Sequence, residues 1–188
     1  MNKIYLDYAA TTPINEEVLD SYCKLLKESV DEVQGIETEE DLAVTIDLEI
    51  NAFLPERYIK STEQRIDMYK KIAAIENESD KEEVQDELID RYGDMPLSVR
   101  NVVEIGAVKA IAKKVGVFEI SFRNNILALK FSPKYFDPQY LMELDKLYPQ
   151  CVKAVLSENP VIRIRIKDKS SILKSTRKIL ELLVEKKR

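Results

Sequence analysis

A chain of 188 residues with 34 acidic and 29 basic side chains, a net charge of -5 and 45% hydrophobic residues can bury one solid core with a small satellite, and is too short for a two-domain motor. The acidic balance disfavours a polyanion as ligand of the whole chain, and 4 glycines leave little room for phosphate-cradling loops. Histidine is absent, which removes imidazole metal sites and histidine-based triads, and Cys23 and Cys151 stand far apart without a CxxC spacing. No run is long and apolar enough to suggest a membrane span or a secretion signal, so the chain is expected to be cytoplasmic, with no cofactor and no metal.

In chain order, IYLDYAATTP reads as a short strand and turn, and Thr12 with Pro13 as a helix start. Apolar residues from Val18 to Val30 recur at helical spacing, closed by Gly35, and the acidic IETEEDLA reads as an exposed connection. TIDLEI alternates Ile46, Leu48 and Ile50 with polar residues, the period of a half-buried strand. Capping-box spacings at Ser61/Gln64 and Ser79/Glu82 predict two short helices, the second carrying Val84, Leu88 and Tyr92 inward and ended by Gly93.

Between Pro96 and Gly116 apolar residues occur almost all round, which predicts a helix buried between other elements. Phe118, Ile120 and Phe122, then Leu127, Leu129 and Phe131, alternate on either side of Asn124-Asn125, the pattern of a hairpin with a tight turn. Asp137-Pro138 opens a further helix, VKAVL and VIRIRIK form a second strand pair joined through SENP, and Ser170 is the expected cap of a last helix with Ile172, Leu173, Ile179, Leu180 and Leu183 inward. The order predicts an α+β fold: N-terminal helices, then an antiparallel sheet of two hairpin-like strand pairs in ββαββα order, packed with helices.

Chemistry-bearing patterns are sparse. Arg163, Arg165 and Lys167 line one face of a strand, as a nucleic-acid stripe would, but alternation with Ile162, Ile164 and Ile166 equally describes a solvated sheet face. Carboxylates are abundant on predicted helix faces, without the contrasting environments that acid-base catalysis requires. Neither GxxxxGKS/T nor GxGxxG occurs.

Two resemblances follow from longer stretches. Residues 1–20, MNKIYLDYAATTPINEEVLD, resemble the opening of the cysteine desulfurases, pyridoxal-phosphate enzymes of the class V aminotransferase group. That family needs a Schiff-base lysine beside one histidine and a second histidine on the cofactor ring. A chain without histidine, and without the large fold that surrounds such a site, is expected neither to bind the cofactor nor to move sulfur.

The rest of the chain, through SYCKLLKESVDEVQG, TIDLEINAFLPERYI and the run from RIDMYKK to KKVGV, resembles the C-terminal part of the bacterial transcription-repair coupling factors. The resemblance implies that residues 21–43 correspond to the end of the translocase region and residues 44–188 to the TRCF C-terminal regulatory domain. Such a protein is an ATP-dependent DNA translocase that engages RNA polymerase and DNA and recruits the excision-repair protein UvrA. Its terminal domain is not an enzyme: it clamps the UvrB-like N-terminal module of the parent protein and masks the UvrA-binding surface. By the same resemblance, Glu87, Asp90 and Arg91 in DELIDRYG are the candidate partner-interface residues. The competing readings are a small nucleic-acid-binding module on the Arg163 stripe and a truncated desulfurase.

Overall fold

A computed structural model describes residues 43–186, to which every structural statement below refers; the expected helix from Val18 to Val30 and the desulfurase-like segment lie outside them. Helix α1 (Thr62–Ala73) starts as expected at Ser61, whose hydroxyl accepts from the Gln64 N–H, and Lys70 and Lys71 in its last turn complement the helix dipole. Helix α2 (Glu78–Tyr92) starts two residues ahead of the expected capping box. Asn77 caps it by accepting from the Asp80 N–H at 3.0 Å, while the Asp80 carboxylate reaches back to the Glu76 N–H at 2.9 Å. Asparagine caps as well as serine does, so this pair displaces Ser79 and Glu82 from the role.

Helix α3 (Leu97–Val115) is buried along most of its length, at Val99, Val102, Val103, Ala107, Val108, Ala112 and Val115, and ends at Gly116 with φ 77° in the left-handed region. It serves two cores. One side packs with Leu54, Ile59, Met68, Ile72, Val84 and Leu88 of the N-terminal helical layer, and the other meets the sheet through Val108, Ala112 and Val115. This double burial explains an apolar pattern with no clear polar face.

Five strands form one sheet in the order β1 (Thr45–Asp47), β2 (Val117–Arg123), β3 (Ile126–Phe131), β5 (Val161–Arg165), β4 (Val152–Val155). The two expected antiparallel pairs are present, β2 with β3 and β4 with β5, and they join through β3 and β5. Asn124 and Asn125 hold φ 52° and 63° in the β2–β3 turn, as a primed turn requires. The sheet is mixed rather than wholly antiparallel, because β1 adds to β2 in parallel. A lone three-residue strand carries no signal of its pairing direction.

The alternation in β2 breaks at a register shift between Val117 and Glu119. Val117 thereby points into the core, and Phe118, expected inward, is left half-exposed. Helix α4 (Gln139–Leu147) seats Tyr140 and Leu144 on the same core, with the Asp137 carboxylate accepting from the Gln139 N–H at 2.8 Å. Helix α5 (Ile172–Lys186) buries Ile172, Leu173, Ile179, Leu180 and Leu183 as the spacing predicts. The cap before it is Asp168 rather than Ser170: Asp168 accepts from the Ser170 N–H at 2.9 Å and opens a 3-10 turn, Lys169–Ser171, that leads into the helix.

A charge network fastens α2 and α5 to α3. Lys81, 7% exposed, donates to Glu104 at 2.8 Å and to Glu78 at 3.0 Å, and Arg177 reaches Glu78, Glu104 and Glu181. Burial drives the Glu104 carboxyl upward, but hydrogen bonds from Lys81 and Arg177 outweigh it and hold the group below its ordinary range.

Candidate functional site

The C-terminal end of α2 is the part of the helical layer that presents charge on a fixed backbone. Leu88, fully buried, anchors it from below, a burial that contributes about 1.5–3 kcal/mol. The Tyr58 hydroxyl lies within hydrogen-bond distance of both the Leu88 carbonyl, at 3.0 Å, and the Gly93 carbonyl, at 2.9 Å, so it ties down the last turn. The Tyr58 and Tyr92 rings meet at 5.8 Å, and Tyr92 is half-buried rather than part of the inner core. Gly93 at φ 79° then redirects the chain toward α3.

On this frame Glu87 and Arg91, one turn apart, form an ion pair at 2.6 Å. Lys71, from the last turn of α1, joins the other side of the Glu87 carboxylate. Hydrogen bonds from Lys71 and then Arg91 hold the Glu87 carboxyl below the usual carboxylate range. The Arg91 guanidinium lies 5.1 Å from the Tyr92 ring centre, which fixes the plane it offers outward. Beside the triad an open hollow of about 340 Å³ runs between α1 and α2, lined by Gln64, Asp67, Met68, Lys70, Lys71 and Arg91.

Of the three residues singled out from the sequence, Glu87 and Arg91 are thus brought together, while Asp90 stands apart. Asp90 lies two positions past Leu88, about 200° around the helix from the core, and its exposed carboxylate has no ion-pair partner among the described residues. Ile89 next to it is 44% exposed. Sequence reasoning missed Lys71 and Tyr58: both reach α2 from other segments, and no local spacing reports such contacts.

The other candidates are placed simply. Arg163 and Arg165 lie on the solvent side of β5 opposite buried Ile162 and Ile164, and Lys167 is exposed just past the strand. Among the described residues no group of three or more Cys, Asp or Glu side chains is placed to hold a metal ion, and no helix is long and apolar enough to cross a membrane.

Fold and surface define an α+β domain in which a helical layer and a mixed five-stranded sheet share one central helix. The family profile of the TRCF domain matches residues 48–140, a span that contains the whole α2 surface. The transcription-repair-coupling factor of Bacillus subtilis (strain 168) is 34% identical over 133 residues, covering 69% of this chain and 11% of the relative. That of Staphylococcus epidermidis is 36% identical over 117 residues, covering 61% and 10%. The crystal structure of the C-terminal domain of a transcription-repair coupling factor is similar with a TM-score of 0.67 and 30% identity, over 76% of this chain and 92% of that one. The chain belongs to the TRCF domain family of the transcription-repair coupling factors. It spans about a tenth of the length of the curated relatives it matches.

Proposed function

We infer that residues 44–188 act as a non-catalytic regulatory domain, cytoplasmic like the repair machinery it serves, and that they clamp the UvrB-like module of a parent coupling factor. In that reading the clamp covers the UvrA-binding surface and restrains an ATP-dependent DNA translocase until RNA polymerase is engaged. The observation that carries it is the state of Asp90: an exposed carboxylate without a counter-charge, held beside the Glu87–Arg91 pair on a helix end tied down by Tyr58. An unpaired charge on a preorganised backbone suits recognition, because little ordering entropy is lost when a complementary cation arrives. A polar contact of this kind gives specificity while leaving two modules free to separate, as a switch requires.

The test is competition. With the UvrB-like module immobilised, adding the chain in trans is expected to suppress capture of UvrA in a dose-dependent way. UvrA capture that is indifferent to a saturating excess of the chain removes the clamp reading.

A further inference from the structure

The sheet has helices α3, α4 and α5 on one face, where Ile120, Phe122, Leu127, Leu129, Ile162 and Ile164 are buried. The opposite face divides into two halves of different electrostatic character. On the β1–β2 side every cation is answered: Arg123 bonds Asp47 and Glu49, each at 2.6 Å, and Lys130 pairs with Glu119 at 3.4 Å. On the β5–β4 side Arg163, Arg165 and Lys153 are exposed and have no ion-pair partner among the described residues.

The register makes this second half costly. Lys153 lies directly opposite Arg163 in the β4–β5 ladder, and like charges at directly opposed positions destabilise a strand pair. Around the pair stand Val155, 44% exposed, and Leu156, 70% exposed. Beyond them β4 is the last strand of the sheet, so one of its rows of backbone N–H and C=O groups has no partner strand among the described residues. Clustered unanswered cations, exposed apolar side chains and an open strand edge coincide where β4 borders β5.

We propose that this edge is a docking site for an extended acidic polypeptide segment, which pairs with β4 and lays its carboxylates along Lys153, Arg163 and Arg165. Side chains of a strand repeat on one face every second residue. Lys153 and Val155 both face the open side, since their partners Arg163 and Val161 alternate with buried Ile162. The added strand therefore carries an acidic residue beside Lys153 and an apolar one beside Val155, two positions apart.

Nucleic acid fits the patch less well. The net charge of -5 opposes a polyanion, no aromatic side chain lies on β4 or β5, and Phe118 on β2 already carries the Lys130 ammonium 5.2 Å from its ring centre. This site uses other elements than the α2 surface, and lies beyond the segment matched by the family profile.

The experiment uses the full chain and a short fluorescein-labelled peptide in which Glu and Val take turns at every second position with Thr between them, so that one strand face carries both, followed by anisotropy at low salt. Saturable binding is expected, weakened at least about tenfold, or 1.4 kcal/mol, when Gln replaces Glu in the peptide, and equally by Lys153→Glu or Arg163→Gln in the protein. Lys153→Glu is also expected to raise the melting temperature, because it turns an opposed like-charge pair into an ion pair; binding lost together with stability gained marks a surface kept for a partner. Absence of saturable binding, or affinity unmoved by both substitutions, overturns the proposal. So does a labelled oligothymidylate that binds more tightly than the peptide and depends on the same residues, which would assign the face to nucleic acid.

Discussion

Arg177 on α5 donates to Glu104 on α3 at 2.9 Å across 73 residues of sequence, and Lys81 on α2 meets the other oxygen of the same carboxylate. One acid therefore holds three helices. Glu104→Ala is expected to cost about 2–4 kcal/mol of folding stability, because it leaves an almost buried ammonium without its main acceptor. Chemical denaturation measures it. Glu181→Ala, which removes only an exposed partner of Arg177, is expected to cost under about 1 kcal/mol.

The same network sets an acid limit. The folded carboxyls of Glu104 and Glu78 lie below their ordinary value of 4.5, burial pushing each up and the bonds from Lys81 and Arg177 pulling each further down. Stability from a depressed carboxyl is fully present above the unfolded value and is lost as pH falls through the folded one. Lys81 lies above its ordinary 10.5, its bonds to Glu104 and Glu78 outweighing burial, so its share is lost only as pH rises past that range. Thermal melts are expected to be level between these limits and to fall below about pH 4.5, with a smaller acid slope in Glu104→Gln.

Packing of α1 on α3 depends on Gly106, where a β-carbon would stand 2.6 Å from the Ile72 carbonyl oxygen and 3.0 Å from the Ile72 side chain. The backbone oxygen cannot give way as a side chain does. Gly106→Ala is therefore expected to lose about 1–3 kcal/mol despite alanine's better helix propensity. A rise in the denaturation midpoint would show that the two helices slide apart freely.

The fold was legible where the signal is local. The Ser61 cap, the Asn124-Asn125 turn, the burial of α3 and the inward stripe of α5 each follow from spacing that a single element dictates. What escaped was relational. The parallel seat of β1, the shift that turns Phe118 outward and the Lys71 contact to Glu87 are set by which segments meet, and an isolated period carries no such information. At the α2 surface the sequence indicated the residues but not their difference in role: Glu87 is engaged within the chain, and Asp90 has no such partner.

That difference separates stability from recognition. Glu87→Ala breaks ion pairs whose cations are 49% and 44% exposed, so it is expected to cost at most about 1 kcal/mol of folding stability. Asp90→Ala, which breaks no pair, is expected to leave the melting temperature unchanged.

Titration calorimetry of the chain against the isolated UvrB-like module tests the clamp most directly, with Asp90→Ala and the Glu87→Ala/Asp90→Ala double variant beside the unsubstituted chain. The single variant is expected to weaken binding by about 1 to 3 kcal/mol while folding as before, and the double variant to weaken it further, since a cation on the module loses its partner at a desolvated contact. Equal affinity for all three folded proteins would contradict the assignment and place the clamp away from the end of α2.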